Sequence, residues 1–209
     1  LGEADGGTTN TVWPHMFYLS AYEGTEYYEK GLTLDGVTID TYACGPELQG
    51  DGRNNGVGTF CHEFSHCMGF PDLYDYNDNW FGMGKFDLMD SGSYNGDGYL
   101  PAGYSAAEKS DCGWIELKDM TNITETVNVT DMAPQTQNGD AYIIKNKGNK
   151  NEYFVVEYRA KDGWDAEIPG EGIMITHIDF DQDIWDYNTA NTKGQYYKGD
   201  KLYTNNHMR

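Results

Sequence analysis

The chain has 209 residues, with 34 Asp and Glu against 14 Lys and Arg, a formal net charge of −20. A field of that sign repels phosphate and argues against nucleic acid or an anionic membrane surface as partner. With 17 Tyr and 5 Trp the chain is no solvated acidic coil, and its length suits one large domain, or a domain with a subdomain, around a sizeable core.

Residues 2–10 are polar and Gly-rich, hence loop. Residues 12–19 are apolar and aromatic but carry Pro14, which suits an edge strand. Residues 37–43 read V-T-I-D-T-Y-A, a period-two strand. Residues 45–56 are loop, rich in Gly and Asn. Residues 57–68 have helical spacing and no Pro; Gly69 and Pro71 stop them. Residues 72–103 form a long irregular stretch dense in Gly, Asn, Asp and aromatics, and such loops are usually functional. Residues 104–112 predict a short helix stopped by Gly113. Strands are expected at 126–129, 141–145, 153–159 and 172–178, where β-branched and aromatic runs are split by Asn, Gly and Pro. Residues 179–209 are polar, acidic and aromatic, with little periodicity. The sum is an α+β chain with its helices in the first half and its strands in the second.

No run approaches about 18 apolar residues, so no transmembrane helix is expected. A start at Leu1, with neither initiator Met nor leader, suggests a processed or excised piece of a longer protein. The four cysteines are Cys44, Cys61, Cys67 and Cys112. Cys61 and Cys67 stand about 9 Å apart along a helix, too far to bridge, which leaves the other two pairings or free thiols. Asn122 and Asn128 open Asn-x-Thr sequons, read here as chance in a polar strand pair.

The chemistry concentrates in His62-Glu63-Phe64-Ser65-His66. On a helix, positions i and i+4 lie about 40° apart, so both imidazoles can offer a nitrogen to one ion. Glu63 then reaches a water on that ion and can act as general base. Gly69 lets the chain turn after the helix, and Asp72, six residues past His66, comes back as a third ligand. Two His and one carboxylate leave a fourth position open for water, the pattern of a catalytic zinc site. Zinc acidifies water and polarises a carbonyl, so the expected reaction is amide hydrolysis. Cys67 is rotated about 100° from His66 and should face away from the ion.

The segment G-V-G-T-F-C-H-E-F-S-H-C-M-G-F-P-D-L-Y-D, from Gly56 to Asp75, resembles the active-site segment of the immune inhibitor A-like secreted metallopeptidases. These are zincins related to the metzincins. V-W-P-H at Val12 is similar to a segment that precedes that site. F-D-L-M-D-S-G-S-Y at Phe86 resembles the Met-turn, and the runs between Glu152 and Asp179 resemble the later strands. The resemblance implies a bacterial, extracellular or cell-surface zinc endopeptidase acting on proteins or peptides. It implies zinc on His62, His66 and Asp72, Glu63 as base, and Met89 as the floor of the site. It also implies a zincin-like catalytic lobe over residues 1–113, with its active-site helix near 57–68 and its Met-turn near 86–94. A strand-rich subdomain of the same unit would cover 114–209. Metzincins often place a Tyr two residues after the turn Met, but that position is Ser91. Tyr94 is the substitute candidate for transition-state stabilisation, and His177 is another, with packing as the alternative role of each.

Residues 72–78, 95–98 and 179–183 cluster hard oxygen donors that can wrap a structural calcium ion; solvated surface carboxylates are the favoured reading of any one cluster, and the resemblance implies calcium in some relatives. A competing reading is a calcium-stabilised extracellular binding or adhesion module with an inactive zincin site. A third is a latent fragment that lacks its flanking strands.

Overall fold

Pro14 cannot donate to a ladder, and strand β1 (His15–Tyr18) begins directly after it. The computed structural model describes residues 12–126, 132–198 and 201–205. β2 (Leu32–Leu34) and β3 (Val37–Ile39) form a hairpin, and β4 (Thr41–Cys44) pairs antiparallel with β1, His15 opposite Cys44. The single strand expected over 37–43 is thus two strands. Asp40 breaks it: its carboxylate accepts from Ser20 N at 2.7 Å and Ser20 Oγ at 2.8 Å, and its carbonyl accepts from Leu19 N at 2.7 Å. The side-chain bonds stitch Asp40 to the turn after β1 and end the β2–β3 pairing.

Helix α1 (Gly58–Cys67) falls where the spacing places it. It ends at Gly69, whose φ of +96° only glycine adopts readily and whose N–H reaches the His66 carbonyl at 3.0 Å. Its first residue meets the 3-10 turn Ser91–Gly98 backbone to backbone: a Cβ on Gly58 would lie 1.9 Å from the Ser93 carbonyl oxygen. Residues 72–103 are otherwise irregular, with a second 3-10 turn at Gly84–Phe86.

Helix α2 (Ala106–Asp111) starts at a capping box: Ser105 Oγ accepts from the Glu108 amide, and the Glu108 carboxylate accepts from the Ser105 amide at 2.7 Å. β5 (Lys118–Asp119), β6 (Tyr142–Lys145), β7 (Glu152–Arg159) and β8 (Gly172–Asp179) make a four-stranded sheet in that order. β5 is parallel to β6, and the other pairs are antiparallel. The strand expected at 126–129 and the sequon at Asn128 lie outside the described residues, except for Thr126; Asn122 is exposed.

Period-two alternation turns Val155, Glu157 and Arg159 of β7 inward. Val155 joins Ala106 and Ala141 in a small core closed by Ile115, Leu117, Tyr153 and Ile178. The tail is more ordered than its composition suggests. Asp181 caps helix α3 (Gln182–Asp186), accepting from the amides of Asp183 at 2.9 Å and Ile184 at 3.2 Å. β9 (Gly194–Lys198) and β10 (Lys201–Asn205) then form a hairpin. The fold is mixed α and β, with few helices and several sheets, and among the described residues no helix is long and apolar enough to cross a membrane.

Candidate metal centre

Helix α1 presents His62 and His66 on one face, their rings edge to face with centroids 4.9 Å apart. Each ring is oriented from behind. His62 Nδ1 lies 2.9 Å from the Leu88 carbonyl oxygen, and His66 Nδ1 lies 2.7 Å from that of Phe70. A carbonyl only accepts, so both Nδ1 atoms carry the hydrogen, and each neutral ring keeps its lone pair on Nε2. The turn at Gly69 brings Asp72 to those atoms: its Oδ1 is 2.9 Å from His62 Nε2 and 3.3 Å from His66 Nε2.

The two oxygens of Asp72 have different surroundings. Oδ2 accepts from Tyr76 Oη and, at 2.6 Å, from Asn188 Nδ2. Oδ1 is buried and has no hydrogen-bond donor once the two neutral rings turn lone pairs towards it. Three acceptors then converge on one point, an arrangement that a cation satisfies and that otherwise needs an extra proton. Burial disfavours that proton on His62, but the Asp72 carboxylate and the Leu88 carbonyl outweigh it and raise the imidazole pKa. Burial likewise works to raise the Asp72 carboxyl; with a proton on the rings, their hydrogen bonds and the one from Tyr76 hold it well below the usual carboxylate range. A divalent cation competes for the same lone pairs. The donor set, two imidazoles and one carboxylate with supported outer atoms, fits a metal ion. Among the described residues it is the one group of three His, Cys, Asp or Glu that could hold an ion.

The calcium expectation finds no support there. Asp75 spends both oxygens on the Asn77 and Asn79 amides, Asp181 caps α3, and Asp97 sits 3.5 Å from Arg53.

Glu63 lines the same cleft of about 500 Å³ as His62 and His66, between β1 on one side and Trp185 and Asn188 on the other. Burial raises its carboxyl pKa, and the two imidazoles partly offset this. Met89 is fully buried. Its turn ties the site together: Leu88 O orients His62, while Met89 O accepts at 2.8 Å from Leu73 N, the residue after Asp72.

Tyr94 and His177 are placed differently. Tyr94 is exposed on the 91–98 turn and does not line the cleft, although burial of part of its ring and the charges of Glu63 and Asp72 push its phenol up. His177 sits on β8, 3.1 Å from Glu152 Oε1 and packed on Phe154, away from the cleft lining. All four cysteines are free thiols, and none belongs to the ligand group.

Behind the Met89 turn lies a buried acid cluster. Asp87 Oδ1 accepts from Met89 N at 2.8 Å, and Glu108 Oε2 accepts from Ser105 N and Oγ. Their remaining oxygens, Asp87 Oδ2 and Glu108 Oε1, are buried and no protein donor reaches them. Burial first, then the Glu108 charge, pushes the Asp87 carboxyl far up. On β7, Glu157 Oε1 accepts from Ala106 N at 3.0 Å. Arg159 holds Asp165 with two bonds of 2.7 Å, and its Nη2 also donates to the Gly103 carbonyl at 3.2 Å.

The residues that sequence reasoning missed are Tyr74, Tyr76, Trp185 and Asn188. Tyr74 lines the cleft with its ring near-parallel to His62, centroids 6.5 Å apart. Tyr76 follows Asp72 by four, a local signal in D-L-Y-D-Y that went unused. Trp185, whose Nε1 donates to the Gly69 carbonyl at 2.8 Å, and Asn188 come from 116 residues away, where no local pattern announces them.

A comparison with curated proteins and one with solved structures return no match. A family model described as the immune inhibitor A peptidase M6 catalytic domain matches residues 2–118, more than half of the chain and all of α1, Asp72 and the Met89 turn. The chain belongs to the immune inhibitor A peptidase family.

Proposed function

We propose that the chain is an extracellular zinc-dependent endopeptidase with a zincin-type site. The observation that carries this reading is the convergence of two Nε2 lone pairs with the donor-free Oδ1 of Asp72, in a cleft shared with Glu63. His62, His66 and Asp72 would hold the ion, and Met89 would be the floor of a Met-turn. A zinc ion held there supplies a Lewis acid that polarises a carbonyl and lowers the pKa of water. Glu63 removes a proton from the attacking water and returns it to the amine as the C–N bond breaks. Its partly desolvated carboxyl is a stronger base than an exposed one. β1 lines the cleft, and among the described residues it pairs only with β4, so its other edge suits an extended peptide substrate. In this reading residues 1–113 form the catalytic lobe and 114–209 a supporting subdomain, and the extracellular placement follows the family.

The test is elemental analysis of the purified chain, paired with hydrolysis of quenched casein with and without chelator. The expected result is about one zinc per chain, as a three-ligand catalytic site holds, with cleavage abolished by chelator. Glu63→Gln should keep the zinc and lose roughly 10²–10⁴-fold in rate. Full hydrolysis by Glu63→Gln, or by the chelated protein, would refute the mechanism.

A further inference from the structure

Asp72 is the one ligand of the proposed centre that stands on no regular element. α1 fixes the two histidines, whereas Asp72 follows a glycine turn and a proline in an irregular stretch. Its position is set from outside that stretch. Asn188 Oδ1 accepts from the Asp72 amide, and Asn188 Nδ2 donates to Asp72 Oδ2 at 2.6 Å. One carboxamide thus grips both the backbone and the carboxylate of one residue. The second Nδ2 hydrogen goes to Tyr76 Oη at 2.6 Å, and that hydroxyl gives its own proton to the same Oδ2. Every donor and acceptor in this ring of three residues is consistently used. Oδ2 is filled, and Oδ1 is left facing His62 and His66.

Asn188 itself is held for this task. Its φ is +58°, a left-handed conformation that Asn tolerates better than most residues. It follows α3, whose Trp185 donates to the Gly69 carbonyl, and it precedes two further ties. Asn191 Nδ2 donates to the Leu73 carbonyl at 2.8 Å, and Thr192 Oγ1 accepts from Tyr76 N at 2.8 Å. Residues 185–192 form a strap over 69–76, and all of it lies beyond the stretch matched to the family.

We propose that Asn188 is a positioning residue of the metal centre, selecting which oxygen of Asp72 faces the ion and holding it there. The inference rests on the zinc reading above. Outer-shell partners of metal ligands are worth roughly 10–100-fold in metal affinity, and Asn188 supplies two such bonds to one ligand.

The test compares Asn188→Gly and Asn188→Asp with the wild-type chain. Glycine removes the carboxamide and keeps the left-handed backbone, which alanine would strain. Aspartate keeps an acceptor for the Asp72 amide and the shape of the side chain, but replaces the donor to Oδ2 with a like charge. Zinc affinity is measured by competition with a chromogenic chelator, the ligand field from the visible bands of the cobalt(II)-loaded protein, and folding from melting of the metal-free chain. Both variants are expected to bind zinc roughly 10–100-fold more weakly and to change the cobalt bands, while the metal-free chain keeps a cooperative melt. A lowered metal-free melting temperature with wild-type zinc affinity and cobalt bands would reduce Asn188 to a structural residue and overturn the proposal. A wild-type chain that takes up no zinc would overturn the centre itself, and this inference with it.

Discussion

Adding one methyl group at Gly58 should separate the packing of α1 from its helix propensity. In most helical settings Gly→Ala stabilises by about 0.5–1 kcal/mol. Here the new Cβ would sit 1.9 Å from the Ser93 carbonyl oxygen and 2.9 Å from its carbonyl carbon. A relaxed C···O contact is about 3.3 Å or more, so α1 and the 91–98 turn must part by well over an ångström. Both partners are backbone, and no rotamer change relieves the clash. Overpacking of that kind costs about 1–3 kcal/mol, which outweighs the propensity gain and leaves a net loss of about 1–2 kcal/mol. The movement is transmitted to the proposed centre. His62 lies one helical turn from Gly58, and its 2.9 Å bond reaches Leu88 O, three residues before the displaced turn. Gly58→Ala should therefore lower the urea midpoint and also weaken zinc binding roughly 10-fold or more, through loss of the bond that orients His62. A variant more stable than wild type, with unchanged zinc affinity, would refute the reasoning.

Two further predictions concern the acid cluster behind the turn. The Glu157 carboxyl is pushed up to about 7, chiefly by burial, with Arg159 and Lys109 opposing. The folded chain keeps a proton that the unfolded chain releases near pH 4.5, so this residue makes stability fall as pH rises from about 4.5 to 7 and level off above. Glu157→Gln, which can still accept from Ala106 N, should flatten that part of the urea-midpoint profile between pH 5 and 9; a profile parallel to wild type would contradict the assignment. Arg159→Met leaves Asp165 buried without its two-bonded partner, and should cost about 3–5 kcal/mol in urea unfolding. A loss under about 1 kcal/mol, the size of an exposed pair, would mean that the pair is not buried as described.

The grouping of His62, His66 and Asp72 was legible where its determinants are local. His62, Glu63 and His66 share one helical turn, and Gly69 both ends that helix and turns the chain to Asp72. The strands β6, β7 and β8 were legible from β-branched and aromatic runs. The break at Asp40 was not, because it depends on Ser20, a partner 20 residues away. The Ser105–Glu108 box was written in the sequence and went unread. The acid cluster was hidden by a rule that works almost everywhere, that carboxylates stay in solvent; Glu157 even follows the period-two pattern of β7, but with an acid where an apolar residue is expected. α3 and the last hairpin lack clear periodicity, and Asp181 as N-cap was their one local sign.

The strap over 69–76 also sets an order of events. Asp72 and Asn188 are 116 residues apart. At about 5–20 residues per second, roughly 6–23 s of synthesis separate the emergence of Asp72 from that of Asn188. Helix α1 can form during that interval, since its packing partners β1, β4 and the 91–98 turn all precede residue 188, but a bond spanning so long a loop closes only once both ends exist and the entropy of closure has been met. In the proposed centre Asp72 thus receives its final orientation only after residue 188 has emerged, so the two histidines on α1 are in place before the third donor is fixed beside them.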